Sequence, residues 1–349
     1  MTPNPLRGVV ILAGGRGERF WPWSTAERPK QLLPLAKDGR TLLAATFARA
    51  LRLTTADQVV VMTSDALRAA CQRECPGARI LGEPMMRNTA PAIAGAVFPF
   101  AESQAFAVLP ADHAIDDEDA FTADMQRAFQ IAERDAVLVT FGIPATASDP
   151  NFGYIQRGAE LAPRLFRVSR FTEKPTREKA AEWLATGAYS WNSGMFVWRK
   201  QTFFDALAQQ HPQIAALRHW RHTGDDAAFA AAIRPVFEPL TGISVDHAVL
   251  EHAANTVVLE ASFDWDDLGS WQAWARRQPR DAHGNVCWGD AVPVECRDCI
   301  VVGDGLLAAP LRLEGMVVVA TAQGVLACRI EDSEWVRKVS EVVRARSRA

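Results

Sequence analysis

Up to about residue 142 the sequence alternates short apolar, β-branched runs with alanine-rich amphipathic stretches, and this alternation limits the fold more than any other feature. The runs are GVVILAG, QVVVMT, ARILGE, AFAVLPAD and AVLVTFGI. Between them the periodicity predicts helices from about Thr41, from Ser64, from about Thr89 and over about Asp117 to Arg134. Strands that are apolar along their whole length need cover on both faces, so the pattern predicts an α/β chain built on a parallel sheet. In such sheets ligands sit beyond the carboxyl ends of the strands, where the strand order switches. The residues in that position are GGRGER after the first strand, GEPMMRNTAP after the third and PADHAI after the fourth.

From about 150 to 260 the texture loosens into FGYIQRG, FRVSRFTEKP and WNSGMFVWR, with helices such as REKAAEWLATG between them. Strands without crossover helices predict an antiparallel extension of the sheet. Past WDDLGSWQAW the chain becomes a series of short valine-rich strands with turn residues at intervals. That reads as a small β module closed by a charged helix from about Glu331. The expected division is 1–280, with halves of about 1–150 and 151–280, followed by the module at 281–349. A length of 349 residues suits two domains.

Composition removes several function classes. With 48% hydrophobic and 23% charged residues and a net charge of −3, the chain has the make-up of an ordinary soluble globular protein. It lacks the overall basic character of a nucleic-acid binder, so any anion must be met by a local cluster. No apolar run reaches the roughly 18 residues of a membrane span. GVVILAGG is a short apolar segment, but cleavage there would remove the glycine loop, so a cytoplasmic protein is expected. Six cysteines are too few for a disulfide scaffold. The CxxC pair Cys296 and Cys299 reads as alternating strand positions rather than redox or zinc chemistry. Cys71 and Cys75 read as helix-face neighbours, and the seven histidines show no metal-ligand spacing.

Gly14, Gly15 and Gly17 directly after a strand allow a sharp turn that aims backbone N–H groups at anionic oxygens. The loop is neither a Walker A motif, since it lacks the GK[ST] ending, nor a dinucleotide fingerprint, since Phe20 replaces the third glycine. It leads into a cationic arm, Arg16, Arg19, Arg28 and Lys30, stiffened by Pro22 and Pro29. Arginine grips phosphate oxygens bidentately and lysine acts as a compact charge. The alternative is a surface turn with solvated cations; placement after the first strand favours phosphate. Asp112 in VLPADH and Asp267 in WDDLGSW are two carboxylates suited to one Mg²⁺, which takes one or two carboxylates plus substrate phosphate oxygens. Asp112 could instead cap a helix or turn, Asp267 could be a turn acid, and Asp264 and Asp266 are rival ligands. Thr89 reads as an N-cap and Asn88 as a turn residue. Glu173 and Lys174 in FTEKP fall at the end of an edge-like strand with side chains on opposite faces, or form a solvated strand-end pair.

LAGGRGERFWPWSTAERPKQ resembles the signature loop of sugar-phosphate nucleotidylyltransferases. GEPMMRNTAPAIA, LPADH, FTEKP, WNSGMF and WDDLGSW then come in the order found in mannose-1-phosphate guanylyltransferases, over roughly residues 7 to 330. The resemblance implies a Rossmann-like mixed sheet of the nucleotide-diphospho-sugar transferase type with a small C-terminal β module. It implies transfer of GMP from GTP to α-D-mannose 1-phosphate, giving GDP-mannose and pyrophosphate. Arg19, Lys30 and Asp112 are then the expected catalytic residues, and Asp112 and Asp267 the expected ligands of Mg²⁺. Leu12, Ala13, Gly14, Gly15, Gly17, Glu83, Asn88, Thr89 and Asp112 are expected to meet the nucleotide, with Glu83 an acceptor for guanine N–H groups. Gly153, Glu173, Lys174 and Asn192 are expected to meet the sugar phosphate. ISVDHAVLE resembles a family helix near the sugar pocket, in which Asp246 reads as a helix-start residue.

The sugar phosphate is itself an anionic nucleophile, so no general base is expected and the demand is on positioning and charge neutralisation. The competing readings are a nucleotidylyltransferase for another sugar 1-phosphate or nucleotide, and a catalytically silent nucleotide-sugar-binding regulatory protein. The expected partners are GTP and mannose 1-phosphate, with no nucleic acid and no membrane. The tail is expected to support the catalytic lobe or to make a homodimer contact. Only one helix comes after the β module, so an attached isomerase barrel is not expected.

Overall fold

The computed structural model describes residues 4, 6–15 and 17–346; Arg16, one cation of the arm, lies outside them. The chain forms two compact units. The first takes the chain up to Gly14, Thr46–Ala111 and Ile115–Trp265; the second takes Gly15–Ala45, Asp112–Ala114 and the chain from Asp266 onward. No helix among the described residues is long and apolar enough to cross a membrane.

The first unit is built on nine strands: β1 (Gly8–Leu12), β2 (Val59–Ser64), β3 (Arg79–Glu83), β4 (Ala105–Pro110), β5 (Leu138–Pro144), β6 (Tyr154–Ala162), β7 (Leu165–Thr172), β8 (Tyr189–Arg199) and β9 (Thr256–Glu260). They form one mixed sheet in the order β3-β2-β1-β4-β8-β5-β9-β7-β6. The first four are parallel, with Val9 beside both Val59 and Ala107. The strand order reverses at β1, whose chain proceeds to β2 on one side while β4 lies on the other, so the carboxyl ends of β1 and β4 flank the switch. The predicted helices form at Thr89–Ala96 and Glu118–Arg134. The latter is capped by the Asp117 carboxylate, which accepts from Ala120 N–H at 3.0 Å. Val10, Val60, Leu81, Phe106, Val108 and Trp198 fill the core around these strands.

The antiparallel strands differ from the expected extension. β8 is inserted in the middle of the sheet, its Val197 lying beside Ala107 of β4 and Val139 of β5. The cause is in its sequence: Met195, Phe196, Val197 and Trp198 are all buried, and such a run needs cover on both faces. β7 is not an edge strand either, since it lies between β9 and β6. β6 pairs with β7 and, through Tyr154 beside Trp191, with the beginning of β8. This double pairing brings the starts of β6 and β8 and the end of β7 to one place.

The second unit carries β10 (Val286–Ala291), β11 (Ile300–Ala308), β12 (Met316–Thr321) and β13 (Gly324–Arg329). Strands that succeed one another so closely would ordinarily be hairpins, yet β10, β11 and β12 are parallel, with Ile300 beside Val286 and Val317. They are successive rungs of a coil, bridged again at Val294–Leu311 and Arg297–Glu314. The rung corners repeat left-handed residues at Glu295, Asp298, Arg312 and Gly315. Cys296 and Cys299 occupy such a corner rather than alternating strand positions, and both are buried free thiols. The chain closes with a helix at Val336–Arg346.

Inside this unit Phe20, Trp23, Trp271 and Trp274 pack with Val286, Val302 and Val319. Trp23 and Trp271 stack with ring centroids 5.9 Å apart, and Phe20 lies 4.9 Å from Trp271. Trp271→Ala would open a large cavity at the centre of this cluster and is expected to cost about 3–5 kcal/mol in denaturant unfolding. A cost below about 1 kcal/mol would show that the cluster is not the unit's core.

Candidate active site

The glycine loop and its arm are closed on themselves. Gly17 is left-handed, with φ +60°, and a Cβ there would run into the Lys30 side chain and come within 2.5 Å of Lys30 N. Only glycine meets both conditions. Gln31 Nε2 donates to Gly15 O at 3.1 Å, and Ser24 Oγ donates to Gly17 O at 2.6 Å. The fold of the arm thus presses Lys30 against the loop, leaving it only 6% exposed. A buried ammonium requires partners. Lys30 Nζ sits 2.8 Å from Asp112 Oδ2 and donates to Asp267 O at 2.5 Å.

The carboxylate of one expected metal ligand and the backbone carbonyl of the other therefore hold one cation. Burial works against ionisation of Asp112, but Lys30, aided by His113 at 3.8 Å, outweighs it and the carboxyl ends below the usual range. Burial pushes Asp267 up; Lys30 opposes that, while Asp266 and Asp112 reinforce it. Further positive charge between them would favour the ionised form of both. Of the rival ligands, Asp266 accepts from Leu268 N–H at 2.8 Å, and Asp264 accepts from Asp117 N–H at 2.7 Å. Asp267 makes a like turn bond, its Oδ1 accepting from Gly269 N–H at 3.1 Å, but of the three only Asp267 also accepts from Lys30, through its carbonyl.

Arg19 Nη1 donates to Gly269 O at 3.1 Å. A Cβ on Gly269 would lie 2.9 Å from Asp267 Oδ2 and 3.1 Å from Arg19 Nη1, so glycine keeps room for both. The donor set fits Mg²⁺, which binds hard carboxylate oxygens and keeps positions for phosphate. No group of three His, Cys, Asp or Glu side chains among the described residues could hold a metal.

In the first unit Leu12 and Ala13 continue β1: Ala111 N donates to Leu12 O at 3.0 Å, and Ala13 N donates to Met62 O at 2.8 Å. Glu83, the last residue of β3, lies with its carboxylate against Gly14, 3.5 Å from where a Cβ would be. Burial, opposed by the Arg87 N–H, pushes Glu83 up to about 7. Asn88, at a positive φ of 64°, is the N-cap in place of the expected Thr89, which is the first helical residue: Asn88 Oδ1 accepts from Thr89 N at 2.8 Å. Thr89 Oγ1 accepts from Val245 N at 2.8 Å. Both side chains thus shape the backbone of this segment.

A second group in the same unit gathers where β6, β7 and β8 meet. Asn192 N donates to Gly153 O at 2.8 Å, and a Cβ on Gly153 would collide with the Glu173 carboxylate. Asn192 Nδ2 donates to Asp246 Oδ1 at 2.8 Å. Lys174 departs from the expected strand alternation. It lies past the end of β7, adopts a left-handed φ of 47°, and pairs with Glu173 at 3.4 Å. Asp246 begins a wide helical turn, Asp246–Leu250, of a kind often found at functional sites. Burial and the nearby Glu173 push it up to about 6, against the Asn192 bond and His247. Asp246, Gly269 and His113 join these groups without having been singled out as site residues. For the first, the signal is the resemblance of ISVDHAVLE to a family helix near the sugar pocket; the others depend on packing.

Residues 8–283 match the family model described as nucleotidyl transferase. Residues 289–345 match that of the MannoseP isomerase/GMP-like beta-helix domain. The chain is 36% identical over 352 residues to a putative mannose-1-phosphate guanylyltransferase of Vibrio cholerae, covering 97% of this chain and 75% of that one. It is also 36% identical over 354 residues to a mannose-1-phosphate guanylyltransferase of Escherichia coli, covering 97% and 74%. A solved structure from Thermus thermophilus, described as a mannose-1-phosphate geranyltransferase, superposes with a TM-score of 0.85 at 31% identity. That match covers 97% of this chain and 99% of the other.

Glu83→Gln tests the buried carboxyl. With the folded pKa raised to about 7 from 4.5, wild-type stability falls as pH rises through that window, because the folded state must give up a proton it holds more tightly. The glutamine variant lacks this loss. It should match wild type near pH 4 and exceed it at pH 8 by up to about 3 kcal/mol. An unchanged difference between the two pH values would refute the assignment.

Proposed function

The chain belongs to the mannose-1-phosphate guanylyltransferase family, and from that premise we infer that it transfers GMP from GTP to α-D-mannose 1-phosphate, releasing pyrophosphate. The observation that carries the mechanism is the Lys30 ammonium, buried and held at 2.8 Å from Asp112. Lys30 is a compact positive charge that neutralises the anions brought together in the reaction, and Arg19 stabilises the departing pyrophosphate. The sugar phosphate attacks as the anion it already is, so no side chain needs to remove its proton. Leu12, Ala13, Gly14, Gly15 and Gly17 supply the backbone that approaches the triphosphate.

The Glu83 carboxylate accepts from guanine N1 and N2 donors, which uracil and thymine cannot both match. Asn88 and Thr89 hold that segment in shape. Glu173, Asn192 and the Gly153 backbone bind sugar hydroxyls, Asp246 fixes the Asn192 amide, and Lys174 meets the sugar phosphate. When bound, Mg²⁺ supplies charge neutralisation at the phosphates, and Asp112 and Asp267 are the residues that would hold it. The same reading makes residues 1–280 the catalytic region and 281–349 an appended β module, in a cytoplasmic enzyme that forms a homodimer.

Nucleotide profiling tests the base assignment. GTP should be turned over better than UTP or dTTP, and the reverse order would overturn it. Lys30→Ala should lower kcat by about 10²–10³-fold in folded protein. Turnover close to wild type would remove Lys30 from the chemistry. Asp267→Asn should raise the Mg²⁺ concentration for half-maximal rate by about tenfold or more, with Asp266→Asn nearly silent. The opposite pattern would move the ligand by one position.

A further inference from the structure

The arm from Gly17 to Lys30 has little structure of its own. It contains only two single 3₁₀ turns, Glu18–Phe20 and Lys30–Leu32. Its internal bonds given by the structure are those of the first turn, Phe20 N to Gly17 O and Trp21 N to Glu18 O, then Ser24 N to Phe20 O, Ser24 Oγ to Gly17 O, and the Thr25–Arg28 turn. A segment so poor in local hydrogen bonds must take its shape from what it packs against.

Within the second unit, that support comes from the β module and the closing helix. Arg344 Nη2 donates to Glu18 Oε1 at 2.6 Å, and Arg337 Nε lies 3.5 Å from Glu18 Oε2. Thr321 Oγ1 donates to Pro22 O at 3.3 Å. A Cβ on Gly324 would lie 3.4 Å from the Trp21 ring. Asp304, which pairs in register with Thr321, reaches furthest along the arm. Its Oδ2 accepts from Trp23 Nε1 at 3.1 Å and from Arg28 Nη1 at 2.5 Å.

The residue types at this junction are informative. Trp23 is fully buried, and any acceptor would satisfy its indole N–H. Trp271 and Trp274, beside it, have indole N–H groups with no acceptor at all. A carboxylate is therefore more than the tryptophan requires, and Arg28 accounts for the charge. From Arg28 the chain runs through Pro29, with φ −68°, directly into Lys30. Proline leaves little freedom at that step, so fixing the Arg28 side chain restricts where the Lys30 backbone can go. Arg28, expected among the phosphate-facing cations, is paired instead with the β module.

We propose that Asp304 is a positioning residue for guanylyl transfer: by holding Trp23 and Arg28 it keeps the arm in the shape that sets Lys30 between Asp112 and Asp267. The β module thereby forms one wall of the catalytic loop. This rests on the proposed reaction, whose failure would appear as absence of pyrophosphate release by wild type.

The test compares Asp304→Ala, Arg28→Ala and the double variant in full-length protein, with kcat, both KM values and thermal unfolding measured for each. Each single variant should lose about tenfold or more in kcat, with the KM for mannose 1-phosphate within about twofold of wild type. The double variant should be no worse than the poorer single one, because both remove the same restraint. With wild type active, a kcat within about twofold of wild type for Asp304→Ala, or multiplicative losses in the double variant, would overturn the proposal. If Asp304→Ala does not fold, Asp304→Asn decides. It keeps an acceptor for Trp23 while removing the charge that Arg28 meets, and should lower kcat at least about threefold with unchanged circular dichroism. Wild-type kcat in that variant would also overturn the proposal.

Discussion

The buried ammonium of Lys30 is the constraint around which the second unit is organised. A lysine with 6% exposure is tolerable only with strong oxygen partners, and it has the Asp112 carboxylate and the Asp267 carbonyl. Those partners come from stretches far apart in sequence, one after β4 and one after β9, and both must return to the glycine arm. At Gly17 the Lys30 backbone leaves no room for a Cβ, and at Gly269 the space is taken by the ends of the Asp267 and Arg19 side chains. Burial raises both Asp112 and Asp267, and Lys30 opposes it at both; the opposition prevails at Asp112, which ends lowered, while burial prevails at Asp267, which ends raised.

In the first unit burial tunes acids that, among the described residues, have no paired cation comparable to Lys30. Glu83 and Asp246 are both pushed up by burial, Glu83 against the Arg87 N–H, and Asp246, with Glu173 adding to the push, against its own backbone N–H, the Asn192 amide and His247. Such groups are costly to bury ionised, and their retention beside Gly14 and Asn192 suits binding of donor groups on a ligand. The sheet makes the second cluster available by pairing β6 with both β7 and β8.

Much of this is legible in the sequence, and the reasons are specific. The parallel strands β1 to β4 announce themselves as continuous apolar runs, and six ordered motifs carry the family. The insertion of β8 escapes a reading that assigns short antiparallel strands to an edge, although the buried run Met195 to Trp198 already asks for cover on both faces. Lys174 is expected on a strand, but its left-handed backbone takes it out of the two-residue alternation on which that expectation rests. The parallel coil of β10, β11 and β12 is unreadable as such, since valine-rich runs separated by turns fit hairpins equally well. The role of Asp304 depends on contacts across hundreds of residues, and no local pattern marks it. The contributions of Gly269 and His113 likewise exist only after folding.

Guanylyl transfer to a sugar 1-phosphate is put to the test by incubating the purified full-length protein with GTP, Mg²⁺ and mannose 1-phosphate and measuring both products. The reaction predicts GDP-mannose and pyrophosphate in equal amounts, and formation of GTP when GDP-mannose and pyrophosphate are supplied instead. Folded protein that binds GDP-mannose but turns over in neither direction would contradict guanylyl transfer and leave a nucleotide-sugar sensor in its place.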